Sequence, residues 1–157
     1  MTDDKKLKKA LSIYNGMCDV LTASGLRYEK HEEDLVITFN AVGNDIPMRF
    51  ILNVDADREL IRVLSPIPAT FEGDKRLEGA IATSQINFYL ADGSFDFDYE
   101  NGKVYFRMTS SYIDSLISKE VILYMVACAG QVVDEYNDKL LMLSKGLLPI
   151  EEFFKRP

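Results

Sequence analysis

The chain has 157 residues, of which 47% are hydrophobic and 27% charged, with a formal net charge of −7. That length fits one domain with a proper core, and that balance describes an ordinary globular chain, not a disordered one. The acidic surplus argues against nucleic acid, whose phosphates need Lys and Arg, and against an anionic membrane surface.

No leader segment is visible in MTDDKKLKK or directly after it. The longest apolar run, Val121 to Gly130, is too short to span a bilayer and reads as a buried helix segment. Cys18 and Cys128 belong to neither a CxxC pair nor a ligand cluster, so both read as small buried apolar residues in a reducing cytoplasm.

The first helix is expected over Asp4 to Ser24. Leu7, Ala10, Leu11, Tyr14, Met17, Cys18 and Leu21 recur at helical spacing and form one stripe. Asp3 and Asp4 suit its positive end, Gly25 the left-handed residue past its last turn, and Leu26 an apolar closing contact. Strands are expected over Arg27–Glu32, Leu35–Ala41, Pro47–Val54 and Leu60–Leu64. Short turn-like links join them, which implies an antiparallel meander. Pro66 and Pro68 then end the strand pattern, because proline cannot donate to a ladder. A second helix is expected over Asp74 to Ala91.

The segment Ser94 to Thr109 reads as a hairpin. Asn101-Gly102 suits a type I′ turn, and pairing Glu100 with Lys103 sets the register. Phe97 then faces Phe106, Phe95 faces Met108, Tyr99 faces Val104, and Asp96 meets Arg107 on the other face. A one-residue slip would bury the aspartates. The last helix is expected over Tyr112 to Lys145. Ile117, Val121, Tyr124, Cys128, Val132 and Tyr136 make one apolar stripe, and Ile122, Val126, Ala129 and Val133 make another. Covering one sheet needs a single stripe, so the first helix or another chain must cover the rest. The fold class is therefore α+β, an antiparallel sheet with flanking helices in the order α-β-β-β(-β)-α-β-β-α.

Little in the chain points to catalysis. His31, the single histidine, sits among charged residues with no recognisable nucleophile. Asp92, Asp96, Asp98 and Glu100 lack the glycine bend and terminal bidentate Glu of a calcium loop, and aromatics interleave them at strand period. The Asp55, Asp57, Arg58, Glu59 cluster reads as a turn, and Gly73-Asp74-Lys75 is no phosphate loop. Asn87, a mediocre helix former near a helix end, suggests a structural hydrogen bond to neighbouring backbone. No catalytic residue, cofactor or metal ligand is assigned.

Ile67-Pro68, Arg76, Ala80-Ile81, Ile86-Asn87, Gly93-Ser94-Phe95 and Gly102 to Arg107, in this element order, resemble the YbjN family of small bacterial proteins. The sharp part of the resemblance runs from Ile67 to Arg107. It implies a single YbjN-like domain over residues 1–157, with a C-terminal tail at 147–157. It also implies a type III secretion chaperone-like fold and a regulatory or chaperone-like role without enzymatic activity. Chaperones of that fold are small, acidic, dimeric cytoplasmic proteins that bind extended segments of other proteins.

The expectation is thus a non-enzymatic cytoplasmic homodimer that binds a segment of another protein, with no nucleic acid or membrane partner. Val126 and Val133 on the last helix and Ile150, Phe153 and Phe154 in the tail are the candidate protein contacts. The tail aromatics either pack on their own domain or dock on a second chain. A small-molecule-sensing regulator and a structural subunit of a larger assembly remain the alternatives.

Overall fold

Asp3 accepts a hydrogen bond from the Lys6 amide at 2.9 Å, so the first helix, α1 (Asp4–Ala23), starts where a carboxylate can satisfy a free donor. It ends as expected: Gly25 takes φ +72°, and the Leu26 amide reaches back to the Leu21 carbonyl at 3.0 Å. This computed structural model describes residues 3–155.

Four strands follow as a meander: β1 (Tyr28–His31), β2 (Val36–Val42), β3 (Pro47–Asp55) and β4 (Leu60–Thr70). A 3-10 turn over Glu32–Asp34 separates the first two and leaves Leu35 left-handed at φ 54°, buried but outside the strand expected to contain it. Helix α2 (Lys75–Tyr89) then leads to β5 (Ser94–Asp98) and β6 (Lys103–Ser111). The chain closes with α3 (Lys119–Ser144) and a single turn, α4 (Ile150–Phe153). The six strands form one antiparallel sheet in the order β1-β2-β3-β4-β6-β5.

Strand period sorts the residues between two faces. Met48, Phe50, Leu52 and Val54 of β3, Ile61 and Val63 of β4, and Val104, Phe106 and Met108 of β6 are buried on one face. The helices pack there. Along α3, Ile122, Met125, Ala129, Val133 and Leu140 form the buried stripe. The alternate residues of the strands face the other way and carry no helix.

Three expectations about local structure change. β4 does not stop at Pro66. Between the pairs Pro66–Tyr105 and Thr70–Lys103, β4 takes four steps where β6 takes two. A bulge absorbs both prolines, and their missing donors lie beyond Leu64, the last residue paired with β3. Phe71 then anchors the strand end by donating to the Gly102 carbonyl at 2.8 Å.

The hairpin register differs by two residues. Asp98, not Glu100, faces Lys103, so Phe95 faces Phe106 and Phe97 faces Val104. Only Gly102 (φ +69°) has a positive φ in the connection, so the type I′ turn does not form. The Asp98 carboxylate decides the matter. It accepts from the Glu100 and Asn101 amides at 3.1 and 3.2 Å and from the Asn101 side chain at 2.8 Å, which closes a four-residue loop. A shift of two keeps every side chain on its expected face. Asp96 therefore still meets Arg107, diagonally, with 2.7 Å between carboxylate and guanidinium.

Finally, residues 112–118 are not helical. The Tyr112 amide is taken by the Glu59 carbonyl at 2.8 Å, Asp114 sits at φ 52°, and Ser118 caps α3 through the Val121 amide at 3.2 Å.

Asn87 does what its position suggested. Its side chain donates to the Phe95 carbonyl at 3.0 Å and accepts from the Phe95 amide at 2.7 Å. The α2 side chain thus imitates one strand pairing on the outer edge of β5. Asn87→Ala leaves both backbone groups unpaired and should lower unfolding free energy by about 2 kcal/mol in urea denaturation. A Cβ at Gly102 would run into the Phe71 carbonyl oxygen, and the positive φ adds strain. Gly102→Ala should therefore cost about 3 kcal/mol by the same assay.

Acid should act through Asp55 and Asp98. Asp55 is held below the usual carboxylate value of 3.8, first by the Arg58 amide and then by the Arg58 and Arg62 guanidiniums. Asp98 is held below 3.8 by the Asn101 side chain and amide. Because both folded values lie below the unfolded ones, their stabilisation is complete above the unfolded values and is lost as pH falls through the folded ones. Unfolding free energy measured from pH 6 to pH 2 should fall below about pH 4, and less steeply in an Asp55→Asn/Asp98→Asn variant.

Candidate protein-binding surfaces

Several of the acids singled out in the sequence take part in turns and cross-strand pairs. Asp92 accepts from the Gly93 amide at 2.8 Å, Asp96 from the Ser94 hydroxyl at 2.8 Å, and Asp98 holds the hairpin loop. Asp92 and Asp98 work at separate turns, and Asp96 works within β5. Asp55 binds the Arg58 amide at 3.0 Å and the Arg62 guanidinium at 3.2 Å, which ties the β3–β4 turn. Glu59 of that turn receives Lys9 at 3.3 Å, fastening α1 to it. The nearest acid to His31 is Glu29, at 4.0 Å. Among the described residues no group of three His, Cys, Asp or Glu side chains is arranged to hold a metal.

Cys18 is buried, and that burial pushes its thiol pKa up, as suits a packing residue. Cys128 is only half-buried, packed beside the core. Together with Asp92 it pushes the Tyr124 hydroxyl pKa up, since a negative charge on the phenol would face theirs.

The proposed contact residues divide sharply. Val133 belongs to the stripe of α3 that faces the sheet and is fully covered within its own chain. Phe153 is buried too, with Ile150 packed beside the core, so the tail turns back onto α2 and α3. Val126 is half-buried, and of the five only Phe154 is exposed, with its ring edge-on to Phe153 at 5.6 Å. Sequence could not separate Phe153 from Phe154, because neighbouring positions on a single helical turn differ only in the neighbour they meet.

A different apolar surface is exposed. On α2, Leu77 (59% exposed), Ile81 (44%) and Phe88 (78%) recur at i, i+4 and i+11, one stripe of a helix, with Tyr89 beside Phe88. Val121, Leu123 and Tyr124 are exposed on the first turns of α3. The helical spacing of the α2 residues was readable in the sequence. What it could not show was that Ala82, Thr83 and Ile86, not they, face the sheet. A cavity of about 450 Å³ lies between α2, α3 and α4, walled by Ile86, Tyr89, Tyr136, Phe153 and Phe154, with Glu135 and Lys139 also lining it.

The uncovered face of the sheet is polar by comparison. Asn40 of β2 faces Arg49 of β3, and their side chains meet at 3.4 Å. Two residues along, Thr38 faces Ile51, which faces Leu64 of β4, which faces Arg107 of β6. No helix among the described residues is long and apolar enough to cross a membrane.

No protein-family model matches the sequence, and no curated protein matches it either. Solved structures do match the fold. A chain of the ExsC–ExsE complex is 18% identical over 84% of this chain and 95% of its own, with a TM-score of 0.54. A chain of the HopA1–SchA chaperone–effector complex is 14% identical over 89% and 98%, with a TM-score of 0.51. YbjN from E. coli is 12% identical over 85% and 91%, with a TM-score of 0.55. The chain therefore has the type III secretion chaperone-like α+β fold, which it shares with YbjN.

Proposed function

We propose that this protein is a non-enzymatic binding module, chaperone-like or regulatory, that works in the cytoplasm as a homodimer and holds a segment of another protein. The exposed apolar stripe of α2, Leu77, Ile81 and Phe88, carries this reading. Apolar side chains gathered on one helix face and rimmed by polar ones mark interaction surfaces more often than chance exposure does. The likeness to chains solved in an ExsC–ExsE and a chaperone–effector complex supports protein binding as the use of such a surface. The engagement of Asp55, Asp92 and Asp98 in turns supports a structural use of those acids.

In the homodimer α2 supplies the contact, flanked by Val121, Leu123 and Tyr124 of α3 and by Phe154. This moves the contact away from Val133 and Phe153, which are already used inside the chain, and leaves Val126 and Ile150 as partly covered neighbours. Sedimentation equilibrium at micromolar concentration should give a dimer. Ile81→Glu/Phe88→Glu should give a monomer with an unchanged far-ultraviolet dichroism spectrum, since both positions are exposed. A wild-type monomer would remove the dimer from the reading.

The cavity between α2, α3 and α4 favours a second reading, a small-molecule-sensing regulator, because its volume and mixed aromatic and charged lining suit a small ligand. A ligand screen by thermal shift, with Tyr136→Ala as control, separates the two. A ligand that raises the melting temperature of wild type but not of the variant favours sensing.

A further inference from the structure

Arginine is unevenly placed in this acidic chain. Of its seven arginines, Arg49, Arg62 and Arg107 occupy strand positions on the uncovered face of the sheet. Arg27 joins them. It directly precedes β1, and continuing the β1–β2 register by one residue sets it opposite Asn40. Arg27, Asn40 and Arg49 thus form a row across three strands and line one shallow pocket of about 270 Å³ with Thr38 and Glu29.

The arginines differ in what they hold. Arg62 is paired with Asp55 at 3.2 Å and Arg107 with Asp96 at 2.7 Å. Among the described residues, neither Arg27 nor Arg49 has a carboxylate within ion-pair distance; Arg49 has only the Asn40 amide oxygen, at 3.4 Å. Glu29 borders the same pocket, but its ion-pair neighbour is His31, at 4.0 Å.

Neighbouring strands lie roughly 4.8 Å apart, so Arg27 and Arg49, two strands apart, stand about 10 Å apart at their backbones. Two long guanidinium arms can close that gap around one carboxylate, the geometry arginine suits best. The next row along β3 is apolar at its centre, with Ile51 facing Leu64. The row after it sets Asn53 opposite Arg62. Moving two residues along a strand covers about 6.8 Å, the same step that an extended ligand takes between side chains on one face.

We propose that the uncovered sheet face binds an extended acidic segment of a partner protein, read as acid–x–apolar–x–acid. The first carboxylate sits between Arg27 and Arg49, the apolar side chain over Ile51 and Leu64, and the second carboxylate by Arg62, where it shares the guanidinium with Asp55 and is the weaker of the two anchors. This rests on the protein-binding reading above and names the chemistry of the segment. The net charge of −7 repels such a segment at long range, so affinity comes from the short-range contacts of these rows and not from steering.

The probe is a fluorescein-labelled peptide Gly-Ser-Glu-Ser-Val-Ser-Glu-Ser-Gly, titrated by fluorescence anisotropy with the full chain, beside a counterpart with Lys in place of both Glu. The acidic peptide should bind saturably and the basic one should not. Arg27→Glu/Arg49→Glu should weaken the acidic peptide about tenfold or more while leaving the fold and the oligomeric state unchanged. The same variant should gain affinity for the basic peptide.

Equal binding of the two peptides, no binding of either, or no response to the arginine variant overturns the proposal. So does loss of peptide binding in Ile81→Glu/Phe88→Glu alone, which would place the segment on the helices, and so does a single-stranded oligonucleotide that displaces the peptide. Sedimentation on the same samples keeps the readings apart. A monomer that still binds the acidic peptide removes the homodimer and keeps this site.

Discussion

Everything in this fold depends on one sheet face lying beneath α3. The helix crosses the middle of the sheet, and Ile122, Met125, Ala129, Val133 and Leu140 meet the inward residues of β4 and its neighbours. Each such side chain taken fully out of water contributes on the order of 2 kcal/mol, far more than any surface ion pair here. That shared burial sets the side-chain parity of the strands and explains why a two-residue change in hairpin register was tolerable when a one-residue change was not. It also accommodates one exception. Asn137 is fully buried on the same stripe, with its oxygen taken by the Asp138 amide at 2.7 Å and its side-chain nitrogen without a partner. An unpaired buried amide costs on the order of 1–3 kcal/mol, which the surrounding apolar stripe offsets.

An antiparallel sheet has two edges, and the chain treats them differently. β1 is short and charged, with Glu29, Lys30 and His31 in succession, which discourages another strand from pairing. On β5 the chain uses a side chain instead: Asn87 occupies both backbone groups of Phe95. The Asp98 loop closes the hairpin, and the Gly102–Phe71 contact and the β4–β6 pairing on either side of the bulge tie it to β4.

The two surfaces left over are chemically distinct. The helical side presents Leu77, Ile81 and Phe88, suited to another apolar face; the sheet side presents arginines around Ile51 and Leu64, suited to an extended acidic chain. The chain has them on opposite sides of a single layer of strands.

By itself the sequence determined the α+β class, the element order, the cap of α1, the meander and the role of Asn87, because each follows from local spacing and the hydrogen-bonding capacity of one residue. Leu26 closes its helix on Leu21, five residues back, and Asn87 holds the backbone of Phe95, eight residues on. Tertiary structure decided the rest. Pro66 lies in a strand because β4 bulges between it and Thr70 while staying paired with β6, and residues 112–118 left the helix because Glu59, more than fifty residues earlier in sequence, takes the Tyr112 amide. The choice between apolar side chains was also tertiary. Val133 and Leu123, or Phe153 and Phe154, have the same chemistry and similar spacing, and only the packing of α2, α3 and α4 settles which is covered and which is left to meet a partner.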